Sequence, residues 1–173
     1  MEPYKRCLQN LENSIPEYIK SVGIFQWENE TFELVGHYIS PTYEKCQVCG
    51  HYPIREIFLI ENTKTKEKFK VGNRCIDKIT NQKISKWFRD YYKKQKNIIK
   101  NRKWINAVCG ILQGYENGKL PIFVSEKGIQ RLQRMLERMC KGLNPTESQK
   151  RLAVYYANKI LKKTEEKQPC KTS

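Results

Sequence analysis

Three cysteines and a histidine stand closest to doing chemistry in this chain. Cys46 and Cys49 sit three residues apart in Cys46-Gln47-Val48-Cys49-Gly50, and Cys75 closes the run Val71-Gly72-Asn73-Arg74-Cys75. Two thiolates at that spacing can hold one metal ion from a single tight turn, and Gly50 supplies the backbone freedom for the chain to leave it. The chemistry is that of a structural zinc site, which closes with four ligands. His51 is the nearest candidate for the fourth. A ligand two residues after Cys49 is geometrically awkward, so His37 and Cys7 from the preceding segment are alternatives. Against this stands a plainer reading, in which the cysteines are buried apolar thiols and His51 a surface residue; the turn with its glycine favours the metal.

The residues between these cysteines must bring them together, and their pattern is that of a hairpin. Ile54, Glu56, Phe58 and Ile60 alternate with Arg55, Ile57 and Leu59. Glu61 to Lys66 makes the loop, and Phe69 and Val71 mark the return strand that delivers Cys75 back to the Cys46/Cys49 turn.

Charge is the second large signal. The chain of 173 residues carries a formal net charge of +15. Residues 1–40 have 3 basic and 6 acidic side chains, whereas residues 64–103 have 15 basic and 3 acidic, net +12. Such a concentrated field attracts a polyanion, and nucleic acid is the commonest one inside cells. Lys64, Lys66, Lys68, Lys70, Arg74 and Lys78 are the expected phosphate contacts near the metal turn. Beyond them, Lys86, Arg89, Lys93, Lys94, Lys96, Lys100 and Lys103 fall on the polar side of one helix expected from about Lys83 to Leu112. The 24 lysines against 9 arginines favour point-charge phosphate neutralisation over bidentate base reading, so DNA and RNA, single- or double-stranded, are all open. Tyr91, Tyr92 and Trp104 lie among these charges and either stack on unpaired bases or are buried in helix packing.

The flanking sequence supplies a frame. Residues 4–12 suit a short helix burying Cys7. Ser14-Ile15-Pro16-Glu17 has the form of a capped helix start, and Phe25 to Tyr38 is strand material. Residues 114–121 have loop composition, followed by a short apolar piece at Ile122-Phe123-Val124. Ser125 caps a helix with Ile129, Leu132, Met135/Leu136 and Met139/Cys140 inward. Asn144-Pro145-Thr146-Glu147 starts the last helix, with Leu152, Tyr155/Tyr156 and Ile160/Leu161 inward. The expected fold class is α+β: a small metal-stabilised antiparallel sheet with N-terminal helices, then a helical half. The expected parts are residues 1–40, 41–82 as the zinc module, 83–165 as the basic helical region, and a flexible tail at 166–173. Seven cysteines at these spacings read as a metal site plus scattered singles, with Cys109 and Cys140 as core residues and no disulfide framework. No apolar run reaches membrane-span length and the N-terminus lacks a signal peptide's apolar stretch, so a soluble cytoplasmic protein is expected (in the host cell if viral).

The pattern Cys46-x-x-Cys49-Gly50, an apolar hairpin, then Val71-Gly72-x-x-Cys75 resembles a zinc-ribbon or treble-clef-like module of poorly characterised phage, plasmid and archaeal proteins. The resemblance covers residues 43–78. It implies Zn2+ on Cys46, Cys49 and Cys75, with the knuckle and hairpin packed on the following helix. Many treble clefs carry two ligands on that helix, whereas only Cys75 matches here, which leaves the fourth ligand open.

Three functions follow as expectations. The first is a non-enzymatic, zinc-containing nucleic-acid-binding protein that contacts mainly the phosphate backbone. The second is an interaction factor, viral, mobile-element or ribosome-associated, that docks on an acidic partner; the acidic N-terminal segment could itself meet a protein. The third is a metal-dependent nuclease, disfavoured because the chain has only His37 and His51 and no histidine follows Val71.

Overall fold

A computed structural model describes residues 2–118 and 125–165 of the chain. The fold is α+β, as expected. Among the described residues it divides into two compact units. One runs from Glu12 to Tyr92; the other joins the residues up to Leu11 to those from Lys93 onward.

The first unit is built on an antiparallel sheet of order β1-β2-β3-β4, comprising Ile24–Trp27, Glu30–Glu44, Ile54–Asn62 and Lys68–Val71. Helix α2 (Ser14–Val22) precedes it; α3 (Asn73–Thr80) and the first turns of α4 (Ile84–Lys100) follow. The core gathers Phe25, Phe32, Phe58, Ile60, Val71, Ile76, Ile84 and Phe88. Both Ile57 and Phe58 on β3 are fully buried, so the sheet is covered in part on each side rather than alternating cleanly inward and outward. The boundaries expected at residues 40 and 82 fall inside this unit. β2 runs through residue 40 and pairs with β1 on one side and β3 on the other, while Ile84 and Phe88 are core residues.

Pairing between β2 and β3 breaks twice. The larger break lies between Ile39↔Glu56 and Glu44↔Ile54, so four residues of β2, Ser40 to Tyr43, stand against the single residue Arg55 of β3. This bulge is held from within: the Ser40 hydroxyl donates to Glu44 Oε1 at 3.1 Å and accepts from the Thr42 N–H at 3.3 Å. The β3–β4 loop is tied by Asn62, whose Oδ1 accepts from the N–H groups of Lys64 and Thr65 at 2.9 and 3.1 Å.

The second unit is helical: α1 (Pro3–Glu12), the later part of α4, α5 (Arg102–Glu116), α6 (Glu126–Cys140) and α7 (Glu147–Glu165). Its core holds Ile98, Ile105, Val108, Leu132, Met135 and Met139, as the helical periodicity implies. Ser125 caps α6 by accepting from the Gly128 N–H, and α7 opens on a reciprocal pair. The Thr146 hydroxyl accepts from the Gln149 N–H while Gln149 Oε1 accepts from the Thr146 N–H.

Several expectations are corrected. The helix expected from Lys83 to Leu112 is two helices, because the Asn101 backbone leaves the helical conformation (φ −88°, ψ 5°); its buried side chain donates to Asn144 Oδ1 at 3.1 Å. Residues 114–116 belong to α5, so the loop begins at Asn117. Asn13, not Ser14, holds the position before α2, with no side-chain cap. Tyr155 is half exposed, and Ala153 and Tyr156 take the buried side of α7. Cys7 and Cys140 are not separate core thiols but a disulfide, with Cα atoms 5.0 Å apart. The expected apolar piece at 122–124 and the tail from 166 lie outside the described residues. Among those described, no helix is long and apolar enough to cross a membrane.

Candidate metal centre and basic surface

Cys46, Cys49 and Cys75 come together as the spacing requires, their sulfurs all within 4.8 Å of one another. Sulfurs sharing one tetrahedral zinc at about 2.3 Å would stand about 3.8 Å apart, so the cluster is compatible with a metal ion. Cys46 and Cys49 lie on the turn between β2 and β3, and Cys75 on the first turn of α3. The turn is pinned at both ends. The Gly50 N–H donates to the Cys46 carbonyl at 2.8 Å, the Cys46 N–H to the His51 carbonyl at 2.9 Å, and the Gln47 N–H to the Lys70 carbonyl at 2.9 Å. Gly50 has φ +73°, the left-handed conformation its position was expected to need.

Cys46 and Cys75 are shifted in opposite directions. Burial works to raise the Cys46 thiol, but N–H groups of Gly72, Cys49 and Val48 outweigh it and hold its pKa below the ordinary thiol value. The Gly72 N–H reaches Cys46 Sγ at 3.4 Å. Cys75 is pushed up to about 12, by burial first and then by its hydrogen bonds and repulsion with Cys49 and Cys46. Without a cation Cys75 therefore stays a thiol at neutral pH. A bound metal reverses that order, because a coordinating thiol is deprotonated outright.

The candidates for a fourth ligand separate clearly. His51 is exposed and lines the same cavity of about 620 Å³ as the three cysteines, but its ring nitrogens are not among the clustered atoms. His37 is engaged elsewhere: its ring stacks on Phe88 at 3.7 Å, Nε2 donates to Glu56 Oε1 at 3.3 Å, and Nδ1 accepts from the Tyr92 hydroxyl at 3.3 Å. Cys7 is held in its disulfide.

The expected phosphate contacts fall into two groups. Lys66, Lys68 and Lys70 are occupied on the sheet surface: Lys66 and Lys68 reach Glu61 at 3.1 and 3.6 Å, and Lys70 reaches Glu44 at 2.5 Å. Lys64, Arg74 and Lys78 are exposed and make no ion pair among the described residues, as are Lys86 and Arg89 in the first unit. In the helical unit Lys93, Lys94, Lys96, Lys100 and Lys103 are likewise exposed and unpaired among the described residues. The aromatic residues among these charges are packing residues. Tyr91 is buried against Trp87, Tyr92 bonds His37, and Trp104 packs on the helical core.

What the sequence pattern did not single out is an aromatic pair flanking the metal turn. Tyr43 and Tyr52 are 60% and 61% exposed, their ring centroids 6.4 Å apart, and the Arg55 guanidinium lies 5.7 Å from the Tyr43 ring centre. Their position beside the cysteines was visible in the sequence. Their exposure was not; Tyr43 owes its place to the bulge opposite Arg55.

No protein-family model, no curated protein and no solved structure matches this chain.

Proposed function

We propose that this is a non-enzymatic, zinc-stabilised nucleic-acid-binding protein that contacts mainly the phosphate backbone. The observation that carries the reading is the set of exposed cations between residues 64 and 103 without a carboxylate partner among the described residues. Arg74 and Lys78 stand on the metal-bearing helix, and Lys86, Arg89, Lys93, Lys96 and Lys100 recur on α4. Protein surfaces ordinarily intersperse charges of both signs, whereas an unpaired cationic run suits a phosphate backbone and the release of its counterions. Zn2+ on Cys46, Cys49 and Cys75 fits the soft thiolate set, and His51, which lines the same cavity, is the candidate for the fourth position. The metal's part is structural: it fixes the turn and the start of α3, and with them the orientation of Arg74 and Lys78.

The test is binding of the purified zinc form to labelled single- and double-stranded DNA and RNA across several salt concentrations. Tight binding with a steep salt slope supports the reading. Absence of binding to all four overturns it and makes the cationic run a docking surface for an acidic protein.

A further inference from the structure

Resting on that reading, we propose that the metal end of the first unit is a binding platform for unpaired nucleotides, with Tyr43 and Tyr52 taking bases and the adjoining cavity taking a phosphate. Three independent features meet there. The first is aromatic exposure at one place. Tyrosine rings ordinarily bury most of their area, yet these two, within contact range of one another, present most of theirs to solvent. They are not remnants of a core, since neither belongs to the buried cluster of the sheet unit.

The second feature is what holds them. Tyr43 lies on the bulge of four residues opposite Arg55, and Arg55 braces it: its Nε donates to the Ser40 carbonyl at 3.3 Å while its guanidinium lies over the Tyr43 ring. Tyr52 follows the metal turn directly, one residue after His51, whose carbonyl accepts from the Cys46 N–H. Both rings are therefore mounted on ordered backbone. A stacking partner then pays little to arrange them, which favours affinity.

The third feature is charge. The cavity that the three cysteines and His51 line is also lined by Arg55, which lies over the Tyr43 ring, and by Arg74 and Lys78, with Asn73 and Gly72 at the start of α3. Its one lining carboxylate, Glu56, is bonded to His37. Arg55 joins the two, lying over the Tyr43 ring and lining the cavity with Arg74 and Lys78, and cations together with aromatic faces are what a single strand needs. A duplex hides its base faces in the stack and could use only the cations. The surface therefore selects for strands whose bases are already unpaired, DNA or RNA.

The experiment compares an oligothymidylate, an oligouridylate and a duplex DNA of equal length, each fluorescently labelled, with the zinc-loaded full chain. Partners are wild type, Tyr43→Ala/Tyr52→Ala and Tyr43→Phe/Tyr52→Phe, with zinc content and thermal midpoint as folding controls. With both stacking rings removed, the double alanine variant should bind the single strands at least about tenfold more weakly and the duplex unchanged, while the phenylalanine variant binds as wild type. The two single strands tell DNA from RNA preference. Equal losses on single strand and duplex, or no loss on either, would overturn the platform and leave phosphate binding standing. Wild-type binding to none of the probes would overturn both readings together.

Discussion

His37 lies against Glu56 at 3.3 Å through Nε2, and this pairing, with the Tyr92 hydroxyl on Nδ1, removes the ring from metal chemistry. The side chain is 2% exposed and lies between Phe58 and Phe88. Burial first, and then the Glu56 charge, hold the Tyr92 phenol above its ordinary value, so it stays an O–H donor to the ring. His37→Ala should leave the zinc content unchanged and lower the stability of the sheet unit by about 2–4 kcal/mol, the range for emptying a filled core site. Metal analysis together with urea unfolding checks this; loss of zinc in that variant would make His37 a ligand after all.

The cysteine cluster gives a graded series. On the proposed zinc reading, Cys46→Ala or Cys75→Ala should bind no zinc equivalent and should unfold the hairpin around residues 43–80, because so small a sheet end would not hold its shape without a metal. His51→Ala should weaken zinc binding by about tenfold or more without abolishing it. Competition with a chromophoric chelator measures all three. An unchanged affinity in the His51 variant would give the fourth position to solvent.

Glu44 and Lys70 join the bulge to the strand leading to the metal helix, and their pH dependence has a definite sign. The Glu44 carboxyl is held below the ordinary carboxylate range, chiefly by its hydrogen bond from Lys70, so the stability it lends is present above the ordinary carboxyl pKa and lost as pH falls through the lowered value. Lys70 is raised by the same bond, so its share is lost only as pH rises above the ordinary lysine range. The urea midpoint of wild type should exceed that of Glu44→Gln from about pH 5 to about pH 9, and the two should converge in strong acid. Curves that coincide throughout would mean that the pair contributes nothing.

In the helical unit, Gly142 tests the end of α6. Its φ is +74°, and a β-carbon there would lie 2.6 Å from the Cα of Lys94, against backbone that cannot swing aside. Its carbonyl also accepts from Asn97 Nδ2 at 2.9 Å. Gly142→Ala combines left-handed strain with overpacking and should cost about 2–4 kcal/mol, read as a lowered thermal midpoint with zinc content unchanged.

Much of this molecule is legible in its sequence where signals are local. The Cys46/Cys49 turn, the hairpin that returns Cys75, the Ser125 cap and the apolar faces of α6 all follow from spacing over a few residues. What sequence did not yield is set by distant partners. Cys7 and Cys140 are 133 residues apart, and no local pattern couples them. Asn101 looks like an ordinary polar residue on a long helix until Asn144 gives its buried amide a partner. Lysines 66, 68 and 70 count as free charges in a composition. The β3–β4 register sets Glu61 opposite Lys68, and the tertiary fold brings Glu61 to Lys66 and Glu44 to Lys70.

The four-against-one mismatch opposite Arg55 has a wider meaning for how this surface could be altered. A strand paired at every residue fixes the reach of its side chains, and lengthening it shifts everything downstream onto the wrong face. A segment already out of register can gain or lose a residue locally, while Glu44↔Ile54 resumes the ladder beyond it. The length of the Ser40–Tyr43 segment can thus change without moving the residues paired on either side of it or the cysteine turn beyond.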